Sequence, residues 1–133
     1  MTDAPDLQYL PETFIAKMRY DEPRDAWIVE LLDSRVGREL EALPADVRAR
    51  FRRIVELIQD YGLEQVREPH VRHVEAALWE MRIRGRDGIA RAFYVTTRGR
   101  RVVVVRVFVQ KTESTPRREI ELALERAREV KEA

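Results

Sequence analysis

The sequence predicts an α+β fold, in which two N-terminal helices and one C-terminal helix pack on an antiparallel, at most mixed, sheet of about four strands. Three observations carry this. Residues Leu78–Arg106 alternate apolar and charged side chains with period two, broken by Gly85-Arg86-Asp87-Gly88 and Thr97-Arg98-Gly99-Arg100. Val47, Phe51, Ile54, Ile58 and Tyr61 recur at helical spacing between Pro44 and Gly62. Ile120, Ala123, Leu124, Ala127 and Val130 form a second helical stripe after Ser114-Thr115-Pro116.

Residues 1–24, with three prolines (Pro5, Pro11, Pro23) and scattered apolar side chains, read as an extension of low order in which Phe14, Ile15 and Met18 offer one helical turn. Residues 25–133 read as a single domain. Ala26–Leu32 is an apolar run suited to an edge strand, and Val36–Leu43 to a short helix; strand and helix compete over this stretch. Pro44 fits the first turn of the next helix, whose dipole Asp46 complements. For the last helix, Ser114 or Thr115 offers a capping hydroxyl and Pro116 a first helical residue.

Tight hairpins of two or four residues at the two turns would set Arg82 opposite Arg91, and Arg91 opposite Arg106, a row of three arginines across one sheet face. Opposed like charges cost roughly 0.2–1 kcal/mol per pair, so folding alone gives little reason for the row, whereas an anionic ligand does. The same register gathers Trp79, Met81, Ile83, Ala90, Ala92, Tyr94, Val103, Val105 and Val107 on the opposite face, for burial under helices.

Composition narrows the function. A chain of 133 residues with 44% hydrophobic content holds one core, and without cysteine it has neither disulfides nor thiolate metal sites. No cluster of His, Asp and Glu has metal-ligand spacing, and there is neither a glycine-rich phosphate loop nor a nucleophile elbow. No apolar run approaches the roughly 18 residues of a membrane span, and the N-terminus lacks a secretion signal, so a cytosolic location is expected. The net charge is +1, yet residues 67–111 carry 11 basic against 4 acidic residues, so the positive charge is concentrated on the strands. Such a locally basic sheet suits a phosphate backbone.

From about Trp27 to Val130 the chain resembles the RelE/ParE toxin superfamily, in its phage-derived HigB-like branch. The resemblance rests on Pro69-His70-Val71-Arg72-His73-Val74, Leu78-Trp79-Glu80-Met81-Arg82, Arg91-Ala92-Phe93-Tyr94, Phe108-Val109-Gln110-Lys111-Thr112, and Thr115-Pro116 leading into Glu119-Ile120-Glu121-Leu122-Ala123. It departs at Gln110, where the family often has a lysine, at Ala77, where a glycine is common, and around Arg106, where a histidine is common. The resemblance implies a RelE-like fold and the toxin of a type II toxin-antitoxin system. It further implies a metal-independent endoribonuclease, without cofactor, that cuts messenger RNA on the ribosome and is restrained by a helix-turn-helix antitoxin.

On this reading Arg82 and Arg91 bind phosphate and stabilise the transition state, since guanidinium forks match phosphate oxygens. Lys111 holds the scissile phosphate or protonates the leaving oxygen. His73 is the acid-base candidate, with a packed loop histidine as the competing reading. Arg72, Arg84 and Arg106 extend the RNA-binding surface; Phe93 and Phe108 either stack a base or lie under the C-terminal helix. Glu80 serves as a base or as a salt-bridge partner between the arginines, while Tyr94 and Trp79 belong to the core. Competing functions are a gyrase-directed toxin of the same fold and a non-catalytic RNA- or partner-binding module.

Overall fold

The computed structural model describes residues 26–66, 70–86 and 88–130; the extension with Phe14, Ile15 and Met18 lies outside them. The elements run β1 (Ile28–Leu31), α1 (Ser34–Glu41), α2 (Ala45–Tyr61), a 3₁₀ turn (Leu63–Gln65), β2 (Val71–Glu75), β3 (Leu78–Gly85), β4 (Gly88–Thr97), β5 (Arg101–Val109) and α3 (Arg117–Ala127). The fold class is α+β as expected, but among the described residues the sheet has five strands, ordered β1-β5-β4-β3-β2, and β1 runs parallel to β5. The additional strand is β2, in which Arg72 and His73 are exposed. An edge strand with so few apolar side chains gives little alternation to read.

The helices start as their sequences direct, with one change at the caps. Asp33 caps α1, its Oδ1 accepting from the Arg35 amide at 2.9 Å. Pro44 and Pro116 sit at the N-cap positions of α2 and α3 rather than inside the first turn, and no hydroxyl caps α3. Proline suits a cap because it fixes φ near the extended region and has no amide to leave unsatisfied. Gly62, at φ +93°, ends α2 in the left-handed region that glycine tolerates.

The sheet has a core on each face. Val36, Leu40, Val47, Phe51, Ile54 and Ile58 from α1 and α2 cover Met81, Ile83, Ala90, Ala92, Tyr94, Val102, Val104 and Val107. Ala123, Ile120 and Leu124 of α3 cover Leu78, Phe93, Val95, Val103, Val105 and Phe108. Burial of side chains of this size contributes roughly 1.5–3 kcal/mol each. Tyr94 is core as expected; its hydroxyl pKa is pushed up by burial, which disfavours the phenolate.

The expected register holds between β3 and β4, where Arg82 faces Arg91. It fails between β4 and β5. Thr97 pairs with Arg101 across a three-residue loop in which Gly99 and Arg100 take positive φ, and a bulge then follows between Phe93 and Tyr94 on the ladder. The odd loop length turns Val103 and Val105 toward α3 instead of α1 and α2, and the bulge restores the expected face from Arg106 onward. Arg91 therefore lies opposite Phe108, and Arg106 opposite Phe93, so the three arginines do not form one cross-strand row. Trp79 is also outside the core, 38% exposed at the rim of the first face.

Candidate functional site

The second sheet face carries Arg72, Glu80, Arg82 and Arg91 on adjacent strands, because Arg72 pairs with Glu80 and Arg82 with Arg91. Glu80 and Arg91 are both buried, at 2% and 4% exposure. Arg91 donates through Nη1 to Glu80 Oε2 and through Nε to Gln110 Oε1 at 2.5 Å. Arg72 Nε stands 3.4 Å from Glu80 Oε2 with its side chain half exposed. Glu80 thus acts as the salt-bridge partner between arginines and is shared by two of them. Arg82 adds a guanidinium with no ion pair among the described residues, so Arg72, Arg82, Arg91 and Glu80 together carry two formal positive charges. A phosphate is the type of group that such an excess favours.

Gln110 does more than occupy a position where lysine is common. Its Oε1 accepts from Arg91, while its Nε2 donates to the carbonyls of Thr112 at 2.5 Å and Glu113 at 2.9 Å. One amide thereby fixes both the buried guanidinium and the loop that follows exposed Lys111. A lysine has no acceptor to offer Arg91.

The remaining expected site residues divide between faces. His73 pairs with Trp79, their rings 5.1 Å apart, and its Nε2 lies 2.7 Å from the Ala76 carbonyl in the β2–β3 turn. Alternation puts it on the face opposite Arg82 and Arg91. Phe93 is fully buried and Phe108 nearly so, in tilted contact with each other beneath α3. This is the packed alternative, and it leaves neither ring a free stacking face. Arg106 is enclosed by two carboxylates, with Nε 2.7 Å from Glu119 Oε1 and Nη1 2.8 Å from Glu39 Oε2. These acids hold its pKa above the ordinary arginine value, chiefly through the Glu119 hydrogen bonds.

The structure brings forward residues that the sequence did not single out. A cleft of about 460 Å³ opens between α2 and the β3–β4 hairpin, lined by Arg50, Arg53, His70, Arg82, Arg84 and Arg86 over a floor of Ile54, Leu57 and Ile89. It draws Arg82 and Arg84 together with His70, the other histidine. Two α2 arginines three residues apart, on the helix covering the basic strands, were the available signal. A second groove holds Trp27, Val71, Arg72, His73, Trp79 and Tyr94.

Among the described residues no group of three or more His, Asp and Glu is placed to hold a metal ion, and no helix is long and apolar enough to cross a membrane. No curated protein sequence matches the chain. Comparison with protein-family models matches residues 38–128, more than half of the chain, to the phage-derived Gp49-like family (DUF891). With its mixed sheet, helices on both faces and basic strand surface, the chain belongs to this Gp49-like family, a RelE/toxin-like family.

Proposed function

We propose that this chain is the HigB-like toxin of a type II toxin-antitoxin system, a metal-independent endoribonuclease that cuts messenger RNA on the ribosome in the cytoplasm and is held inactive by a helix-turn-helix antitoxin. Membership of the Gp49-like family supports the toxin class. The nuclease reading is carried by one observation: Arg82, with no ion pair among the described residues, stands across from a buried Arg91 that Glu80 and Gln110 hold in place.

In the proposed reaction the ribose 2′-oxygen attacks the adjacent phosphorus as its proton leaves. The bond from phosphorus to the 5′-oxygen breaks, and that oxygen takes up a proton. The products are a 2′,3′-cyclic phosphate and a 5′-hydroxyl. Arg82 and Lys111 would bind the non-bridging oxygens, whose negative charge grows in the pentavalent state, and Arg72 would extend their field. Arg91, being buried, acts chiefly by fixing the strand geometry around Arg82. His70, which borders the same cleft as Arg82, is the imidazole we assign to proton transfer, because His73 lies on the opposite face.

The test is induced expression of wild type, Arg82→Ala, His70→Ala and His73→Ala in bacteria, with primer-extension mapping of breaks in a translated messenger RNA. Codon-phased breaks in wild type and His73→Ala that vanish in Arg82→Ala and His70→Ala are expected. Growth arrest without breaks would overturn the nuclease reading. Breaks that persist in Arg82→Ala would overturn the site.

A further inference from the structure

We propose that the cleft between α2 and the β3–β4 hairpin extends the cutting site into a sequence-independent binding site for the sugar-phosphate backbone of single-stranded RNA. The proposal rests on the nuclease reading, which supplies the RNA; Arg82 and His70 border the cleft and also serve the chemistry, whereas Arg50, Arg53, Arg84 and Arg86 have no part in it. Arg50 and Arg53 come from one exposed face of α2; Arg84 and Arg86 come from the hairpin, and Arg82 lies where cleft and cutting site meet.

Three features point to an extended polyanion. First, among the described residues lining the cleft five are arginines and none is a carboxylate, while Asp46 at its edge accepts from the Arg86 amide. Among the described residues Arg50, Arg82 and Arg84 have no carboxylate partner at all, and Arg53 meets only Glu56, at 3.5 Å on an exposed surface. Gathering Arg50, Arg82 and Arg84 from two elements with no carboxylate partner among the described residues opposes folding unless something neutralises them. Second, about 460 Å³ is far more than one phosphate needs and falls within the roughly 300–1,000 Å³ typical of small-molecule sites, room for a nucleotide unit rather than a lone ion. Third, Ile54, Leu57 and Ile89 give the cleft an apolar floor, against which a ribose or base edge can lie while guanidiniums hold the phosphates. Concavity separates this site from a flat anionic membrane surface, and contact with Arg82 makes it continuous with the cutting site.

The experiment measures binding of the full chain to a single-stranded oligoribonucleotide made uncleavable by 2′-O-methyl groups, by fluorescence anisotropy across a salt series. Wild type is compared with Arg50→Gln/Arg84→Gln and with Arg118→Gln/Arg128→Gln, a control that removes two exposed charges from the α3 region. Thermal melts verify that all three are folded. Each lost phosphate contact lowers the slope of log affinity against log salt by about 0.7, so the cleft variant should lose about 1.4 while the control keeps the wild-type slope. An unchanged slope in the cleft variant would overturn the cleft site and leave the RNA reading standing. An equal drop in the control would reduce the effect to general charge and also overturn it. Failure of the wild type to bind RNA would remove both readings together.

Discussion

Arg126 of α3 donates through Nη1 to the carbonyl of Val105 at 2.9 Å, on the stretch of β5 that runs past the end of β1. Two residues on, Glu39 Oε1 of α1 accepts from the Val107 amide at 3.0 Å, and Glu39 Oε2 is 2.9 Å from Arg126 Nη1. The parallel pairing with β1 ends at Leu31 and Val104, so side chains from the two layers of helices complete the hydrogen bonding of this edge.

Removing Glu39 should therefore be among the most damaging single changes outside the apolar core. It would leave the Val107 amide unsatisfied and take a carboxylate from both Arg106 and Arg126. Glu39→Ala is expected to cost about 3 kcal/mol, the low end for a broken buried pair, because Arg126 is buried while Glu39 is only partly so and Arg106 keeps Glu119. Arg126→Ala should cost less, about 1–3 kcal/mol, because Arg106 still neutralises Glu39 and chiefly the Val105 carbonyl is left unpaired. Urea unfolding of both variants measures the order. A smaller loss for Glu39→Ala than for Arg126→Ala would mean that the network is not organised around the carboxylate.

The Glu80–Arg91 pair should separate stability from activity. Glu80→Gln leaves a buried guanidinium without its counter-charge and is expected to destabilise by about 3–5 kcal/mol. Arg82→Ala, which breaks no ion pair and relieves an opposed like charge, should change stability by within about 0.5 kcal/mol while abolishing growth arrest. Chemical denaturation and a growth assay on both variants check the split. Loss of fold in Arg82→Ala would assign that residue to structure.

Much of this arrangement could be read from the chain because local turn chemistry dictates it. Gly85-Arg86-Asp87-Gly88 fixed the facing of Arg82 and Arg91, and Pro44 and Gly62 bounded α2. The β4–β5 register could not be read, because Val102 to Val105 is apolar throughout and sits as well on one face as on the other once α3 covers the second. Two opposite half-shifts, the three-residue loop and the bulge, then leave Arg106 on the expected face but beside the wrong partner. Strand β2 was hidden by its exposed polar residues. The burial of Arg91 depends on Gln110, 19 positions away, and on a helix placed by tertiary packing. His70 and His73 differ by three positions in one short motif, and only the sheet assigns them to different faces.

The acid side of the stability curve should depend on Asp33. Its carboxylate caps α1 and is also gripped by the Arg35 guanidinium, with Oδ2 2.6 Å from Nη2. The side-chain hydrogen bonds from Arg35 hold its pKa below the ordinary value of about 4. A depressed folded-state pKa contributes stability that is fully present above the unfolded value and is lost as pH falls through the folded one. Asp33→Asn keeps a capping acceptor but has no charge to titrate. Its melting temperature should lie below wild type at pH 7, and the gap should narrow as the pH is lowered below about 4. Melts from pH 7 to pH 2 test this; a gap that stays constant would place the contribution of Asp33 in the cap alone.

Gln110→Lys, which restores the residue common at this position in the resembling family, should weaken rather than strengthen the site. The substitution replaces the acceptor of a buried Arg91 Nε–H with an ammonium, and repulsion between the like charges drives that ammonium away from the carbonyls of Thr112 and Glu113. The expected stability loss is about 1–3 kcal/mol, from the unsatisfied donor and the added charge. Because Lys111 precedes the released loop, cleavage should fall as well, even under conditions where the variant remains folded. Gln110→Glu retains an acceptor and adds a counter-charge for Arg91 but cannot donate to the carbonyls of Thr112 and Glu113, so it should hold the guanidinium while still releasing the loop. Measuring cutting and melting for both variants separates the two roles: if Gln110→Lys is as stable and active as wild type, Arg91 is held by Glu80 alone and the loop after Lys111 needs no anchor.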